Sequence, residues 1–202
     1  MSRPPIIGHH LILTGYGHWL PNDPRGSGSS EIKQSKFEDL GPIHFGRKQV
    51  QPSRDELRMF QNEAQPRLEH EVIWFDQSMR DLLADAVANV VECRKYTVWA
   101  MAILKNHLHL CIRKHRDDAL TMLDLIGLAT CERLRKEGVI PGDHPLWANR
   151  PYKRYLYTPQ EVRNVVHYIE DNPEREGVTG HGVGRRDGAV CWARWAAMAA
   201  VR

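Results

Sequence analysis

One stretch constrains this chain more than any other: Tyr96 through Arg113. Tyr96-Thr97-Val98-Trp99-Ala100-Met101-Ala102-Ile103-Leu104 is nearly continuous in apolar and β-prone residues, which predicts a buried strand. Lys105-Asn106 predicts a tight turn, since asparagine tolerates a left-handed backbone. His107-Leu108-His109-Leu110-Cys111-Ile112-Arg113 is then the hairpin partner. Its alternation points Leu108, Leu110 and Ile112 into the core and projects His107 and His109 together from the other face.

Elements on either side extend this pattern. Met79, Leu82, Leu83, Ala86, Val87, Val90 and Val91 recur at three- and four-residue spacing, so an amphipathic helix starts near Asp76 or Ser78. A second helix is expected from about Asp118 to Glu137, with Leu120, Leu123, Ile126, Leu128 and Leu134 mostly inside and Gly138 ending it. In the third, Thr158 caps, Pro159 takes the first helical position and Glu161 completes a capping box; Pro173 should stop it at Asn172. His9 through Gly15 reads as the first strand, and Pro145–Tyr157 includes a short one. Between about 26 and 71 the chain is polar and broken by Pro42, Pro52 and Pro66, with a short helix near Ser53–Glu63. The order is strand, insertion, helix, strand, strand, helix, strand, helix. It predicts an α+β ferredoxin-like sandwich, an antiparallel sheet with helices on one face and a long insertion after the first strand. We expect a single domain over 1–177 and a tail over 178–202, where Trp192 and Trp195 pack back.

Composition narrows the functional classes. The 202 residues carry 28 Lys plus Arg and 25 Asp plus Glu, a net charge of +3, too small to identify a nucleic-acid partner by itself. No apolar run approaches the roughly 18–20 residues of a membrane span. Met1–Ile7 has no hydrophobic signal-peptide core. The four cysteines, Cys93, Cys111, Cys131 and Cys191, are scattered without a C-x-x-C pair, which suits a reducing cytoplasm rather than a zinc site or a disulfide scaffold. Neither G-x-x-x-x-G-K nor G-x-G-x-x-G is present, which argues against a nucleotide-driven enzyme.

Chemistry is suggested by the histidine strand and the last helix. Two imidazoles on one strand face can bind a divalent metal; an isolated H-x-H is more often two ordinary histidines on a half-exposed strand. On the third helix Val162, Val165, Val166 and Ile169 form the buried stripe, and Tyr168 and Asn172 lie one turn apart on its flank, with Asn164 one turn earlier. Taken singly, Tyr168 can simply anchor the helix and Asn172 cap its end.

In combination these segments resemble the HUH (His-hydrophobic-His) single-tyrosine transposases, in particular the REP-associated tyrosine transposase branch. The likeness rests on Leu13-Thr14-Gly15-Tyr16-Gly17-His18-Trp19-Leu20-Pro21-Asn22-Asp23-Pro24-Arg25-Gly26-Ser27, on Lys105-Asn106-His107-Leu108-His109-Leu110, and on Trp147 through Tyr168-Ile169-Glu170-Asp171-Asn172-Pro173. The chain departs from the pattern in Leu104-Lys105, where many relatives have Met-Pro, in Asn22 for the usual glycine, and in the acidic start of the second helix. The resemblance implies that His107, His109 and Asn172 bind Mg²⁺ or Mn²⁺, and that Tyr168 is the nucleophile. It further implies cleavage and rejoining of single-stranded DNA, hairpin-containing, through a 5′-phosphotyrosine, by a cytoplasmic, nucleoid-associated homodimer or monomer. A divalent cation lowers the charge that protects a phosphodiester. A phenol, with an ordinary pKa of about 10, must be activated.

The aromatic and basic stretch offers a substrate surface. Arg150, Lys153, Arg154 and Lys105 can meet phosphates, and Tyr152, Tyr155 or Trp147 can stack on bases; the same residues also suit a tyrosine-rich edge strand with solvated charges. Arg3, Arg25, Arg185 and Arg186 can add contacts. Two other readings compete: a catalytically weak hairpin-binding module, and a small metallohydrolase that uses water as nucleophile.

Overall fold

The computed structural model describes residues 4–176. The expected tail, with Cys191, Arg185, Arg186, Trp192 and Trp195, lies outside the described residues, as does Arg3. The chain divides into two compact units, one of Met1–Thr14 with Trp74–Arg202 and one of Gly15–Ile73.

In the first unit, β1 (Gly8–Thr14), β2 (Val98–Ile103), β3 (His107–Arg113) and β4 (Tyr152–Leu156) form one antiparallel sheet in the order β2-β3-β1-β4. This is the α+β sandwich read from the sequence. The β2–β3 turn closes when Leu104 N–H donates to the His107 carbonyl, at 2.8 Å. Asn106 does not use the left-handed region. Its side chain instead accepts from the neighbouring imidazole.

Directly opposed residues on paired strands share a face. Ile12 opposes His109 and Tyr152, His10 opposes Cys111 and Arg154, and Ala102 opposes His109. These residues therefore make one face. Leu11, Leu13, Leu108, Leu110, Met101 and Ile103 make the other, and all six are buried.

Of the helices, α2 (Gln77–Arg94) packs on α3 (Ala119–Lys136), and together they cover the leucine face. Asp76 and Asp118 cap them, each accepting from a backbone N–H three residues on. Leu123, Ile126 and Leu134 of α3 are buried as expected, whereas Leu120 and Leu128 are exposed and Met122 points inward. A leucine's hydrophobicity did not outweigh its angular position.

The last helix, α4 (Pro159–Arg175), crosses the opposite face. The expectation of helices on one face thus holds for α2 and α3 and not for α4. Val165 and Ile169 are buried against Ala100, Ala102, Cys111 and Leu156, with Trp99, Val162 and Val166 around them. The two alanines lower the sheet surface and let the helix approach. Gly8 has a similar role at the sheet's far end: a Cβ there would lie 2.5 Å from the Trp99 ring and 2.9 Å from the Ile112 carbonyl. At its amino end α4 has the anticipated box, Thr158 Oγ1 accepting from Glu161 N–H and Glu161 accepting from Thr158 N–H. It does not stop at Asn172. Pro173 is inside the last turn, and Glu176 N–H still reaches the Asn172 carbonyl at 3.0 Å. Proline's fixed φ is itself helical, its missing N–H removes one bond, and the residue is buried.

The second unit is not the coreless insertion its polarity suggested. Leu20, Phe37 and Ala64 are buried together, flanked by Ile32, Leu40, Phe60 and Leu68. Their irregular spacing has no helical or strand period. The expected short helix is α1 (Arg54–Ala64), held by a Ser53–Glu56 capping box. Arg25, anticipated as a nucleic-acid contact, is engaged internally. Its guanidinium donates twice to the buried Asp23 carboxylate, at 2.8 and 2.7 Å, and lies over the Trp19 ring, 3.8 Å from the centroid.

Candidate metal and nucleophile site

Strand alternation places His107 and His109 on the α4 face of β3, near the β2–β3 turn, with ring centroids 4.7 Å apart. His107 Nδ1–H donates to Asn106 Oδ1 at 2.6 Å. An amide oxygen only accepts, so this bond puts the proton of a neutral His107 on Nδ1 and leaves the lone pair on Nε2.

A third imidazole joins them. His10 on β1 stacks on His109, with centroids 5.3 Å apart and planes 23° from parallel, and its Nε2 shares a hydrogen bond with His109 Nδ1 at 3.1 Å. His10 was missed in the sequence because its partner is 99 residues away. Strand parity alone would have put it on one of two faces without saying which.

Both imidazoles are buried and held uncharged. Burial brings His109 down to about 2, with the neighbouring His107 and His10 adding to the effect. Burial brings His10 to about 4, aided by the Arg154 guanidinium. Cys111, also on this face and fully buried, has its thiol pushed up to about 12 by burial.

Tyr168 comes from α4 to this cluster. Its ring stands edge-on to both imidazoles, 5.6 Å from His109 and 6.1 Å from His10, and is 40% exposed. The helix stripe explains this. Ile169 faces the sheet core, so the residue before it falls on the flank, with its ring against the histidines and one side open to solvent. Asn172, one turn on, is 7% exposed. Asn164 is on the exposed side, where it accepts from Gln160.

Among the described residues, two buried polar atoms of these candidates have no hydrogen-bond partner: His109 Nε2 and Asn172 Nδ2. Such atoms are expensive to leave unsatisfied. Among the described residues no three His, Cys, Asp or Glu side chains are grouped to hold a metal ion. As donors for a divalent ion, His107, His109 and Asn172 would offer two imidazoles and an amide oxygen. In donor type and in the orphaned His109 nitrogen, the residues fit a divalent ion.

No protein-family model matches the chain, and no curated protein matches it. Among solved structures, the chain is similar to a REP-associated tyrosine transposase bound to a REP hairpin. The TM-score is 0.45 at 12% identity, over 88% of this chain and 73% of that one.

The remaining sequence candidates are distributed around the sheet. Tyr152 and Arg154 of β4 share the histidine face, and the Tyr152 ring is 6.0 Å from His10. Arg154 also approaches Glu161, at 3.7 Å. Lys153 alternates to the other face. Arg150 is exposed just before β4, and Lys105 is exposed in the β2–β3 turn. Trp147, a candidate stacking residue, is in the core. It is 7% exposed, its indole N–H donates to Thr130 Oγ1 at 2.9 Å, and its ring stands edge-on to Phe75. No described helix is long and apolar enough to cross a membrane.

Proposed function

We propose that this protein cleaves and rejoins single-stranded DNA, hairpin-containing, with Tyr168 as nucleophile and His107, His109 and Asn172 holding Mg²⁺ or Mn²⁺. The observation that carries the reading is the seating of a half-exposed tyrosine ring against the buried His10–His109 pair.

A bound divalent cation supplies charge neutralisation at the scissile phosphate. His109, kept uncharged by burial, offers a lone pair rather than a proton. The Tyr168 Oη forms a bond to phosphorus while the bond from phosphorus to the 3′-oxygen breaks. The phenolic proton leaves to solvent or a base, and the departing 3′-oxygen takes a proton from solvent to become a hydroxyl. The phosphotyrosine retains the ester bond, so attack by another 3′-hydroxyl rejoins strands without a nucleotide cofactor, in keeping with a sequence that lacks a phosphate-binding loop. Tyr152 and Arg154, on the same face, can receive an unpaired base and a phosphate.

The test is incubation of the protein with DNA hairpins bearing single-stranded flanks in Mn²⁺, followed by denaturing electrophoresis. A slower protein–DNA species is expected, and Tyr168→Phe should abolish it while hairpin binding persists. Cleavage that survives Tyr168→Phe without an adduct would favour hydrolysis by water. Binding with no cleavage in either protein would leave a hairpin-recognition module.

A further inference from the structure

We propose that His10 is a positioning residue: its Nε2 accepts a hydrogen bond from His109 Nδ1 and so holds His109 with its Nε2 lone pair presented to the cation site. This rests on the metal-site reading above.

Three observations carry it. The first is the bond itself, 3.1 Å long and buried, between rings stacked at 23°. The second is the orphaned His109 Nε2. If His10 donated instead, the His109 proton would sit on that nitrogen, an unpaired N–H in the interior. With His109 donating, the same atom is a lone pair that a cation satisfies. The third is the register of the central strands. Ile12 opposes His109 and Cys111 opposes His10, so His10 is the diagonal neighbour of His109, fixed by the β1–β3 ladder rather than by a loop.

In metal sites the second nitrogen of a ligating histidine is generally held by a carboxylate or carbonyl, and loss of that partner weakens metal binding about 10–100-fold. Here a second imidazole takes that place. The Tyr168 ring touches both members of the pair, so one hydrogen bond orients a ligand and the surface on which the nucleophile rests.

The test compares Mn²⁺ affinity, measured by electron paramagnetic resonance without DNA, in wild type, His10→Phe, His10→Gln and His107→Ala. Phenylalanine keeps a stacked ring and removes the acceptor; glutamine keeps an acceptor and removes the ring. Mn²⁺ binding at least tenfold weaker in His10→Phe and largely restored in His10→Gln is expected. Long-range ¹H–¹⁵N spectra of the metal-free wild type should place the His109 proton on Nδ1, and this measurement needs no variant to fold. A proton on Nε2, or wild-type affinity in His10→Phe, would overturn the proposal while leaving the metal site in place. Equal Mn²⁺ binding by wild type and His107→Ala would remove the metal site, and the role of His10 with it.

Discussion

Single residues show how little of this site the local sequence dictates. Asn106 reads as a turn former, yet its conspicuous interaction is to hold His107 Nδ1–H. Ile169 is fully buried beneath α4 among small neighbours. Ile169→Ala should lower stability by about 3 kcal/mol, read from urea denaturation, because rigid strands on one side cannot collapse into the space. Asp23, 2% exposed, accepts two bonds from the Arg25 guanidinium and one from its backbone N–H. Asp23→Ala would leave a largely enclosed guanidinium without its counterion. A loss of about 3 kcal/mol is expected in the same assay. Trp147 illustrates the limit of composition. In a stretch of arginines and tyrosines it looks like a base-stacking residue, and only the fold discloses the Thr130 hydroxyl that its indole N–H satisfies.

Among the elements, those with local chemistry were the most legible. Thr158-Pro159-Gln160-Glu161 announces the start of α4, and removing the cap with Thr158→Ala should cost about 1 kcal/mol and fray the turn leading toward Tyr168. The H-x-H strand was equally readable, because a period of two fixes a common face whatever the fold. What eluded sequence reading was placement against the sheet. The stripe of α4 says that one side is buried, but not on which face, and the Pro173 rule yields when the proline itself packs in the interior. Strand alternation does separate Lys153 from Tyr152 and Arg154, a signal present in the sequence though masked by the density of charge. On the proposed function, Tyr152→Ala should weaken hairpin-DNA binding about tenfold by removing one stacked base, with Lys153→Ala affecting it less; fluorescence anisotropy at fixed salt distinguishes the two.

For the molecule as a whole, the buried imidazoles outside the site set a dependence on acidity. His9 on the leucine face and His18 in the Gly15–Ile73 unit are both held below their usual range chiefly by burial, His9 also by Lys114. A histidine lowered on folding takes up its proton more readily when unfolded, so its neutral form favours the fold above about pH 6.5 and that contribution is lost as pH falls toward the folded value. Urea midpoints should therefore decline between pH 7.5 and 5. Global order was well indicated by the succession of helical and strand periods. The small core of Leu20, Phe37 and Ala64 was not, since residues brought together from irregular spacing leave no periodic trace.

The outer strand β4 has a consequence for life at high concentration. It pairs with β1 on one side and has no partner strand on the other among the described residues. Such a margin is an open template for another molecule's backbone, and adjacent cations make that approach repulsive. Replacing Lys153 and Arg154 together with valine should leave the chain folded yet turn its rim adhesive, visible as concentration-dependent particle growth in light scattering. The positive charge at this border would then be a safeguard against sheets fusing.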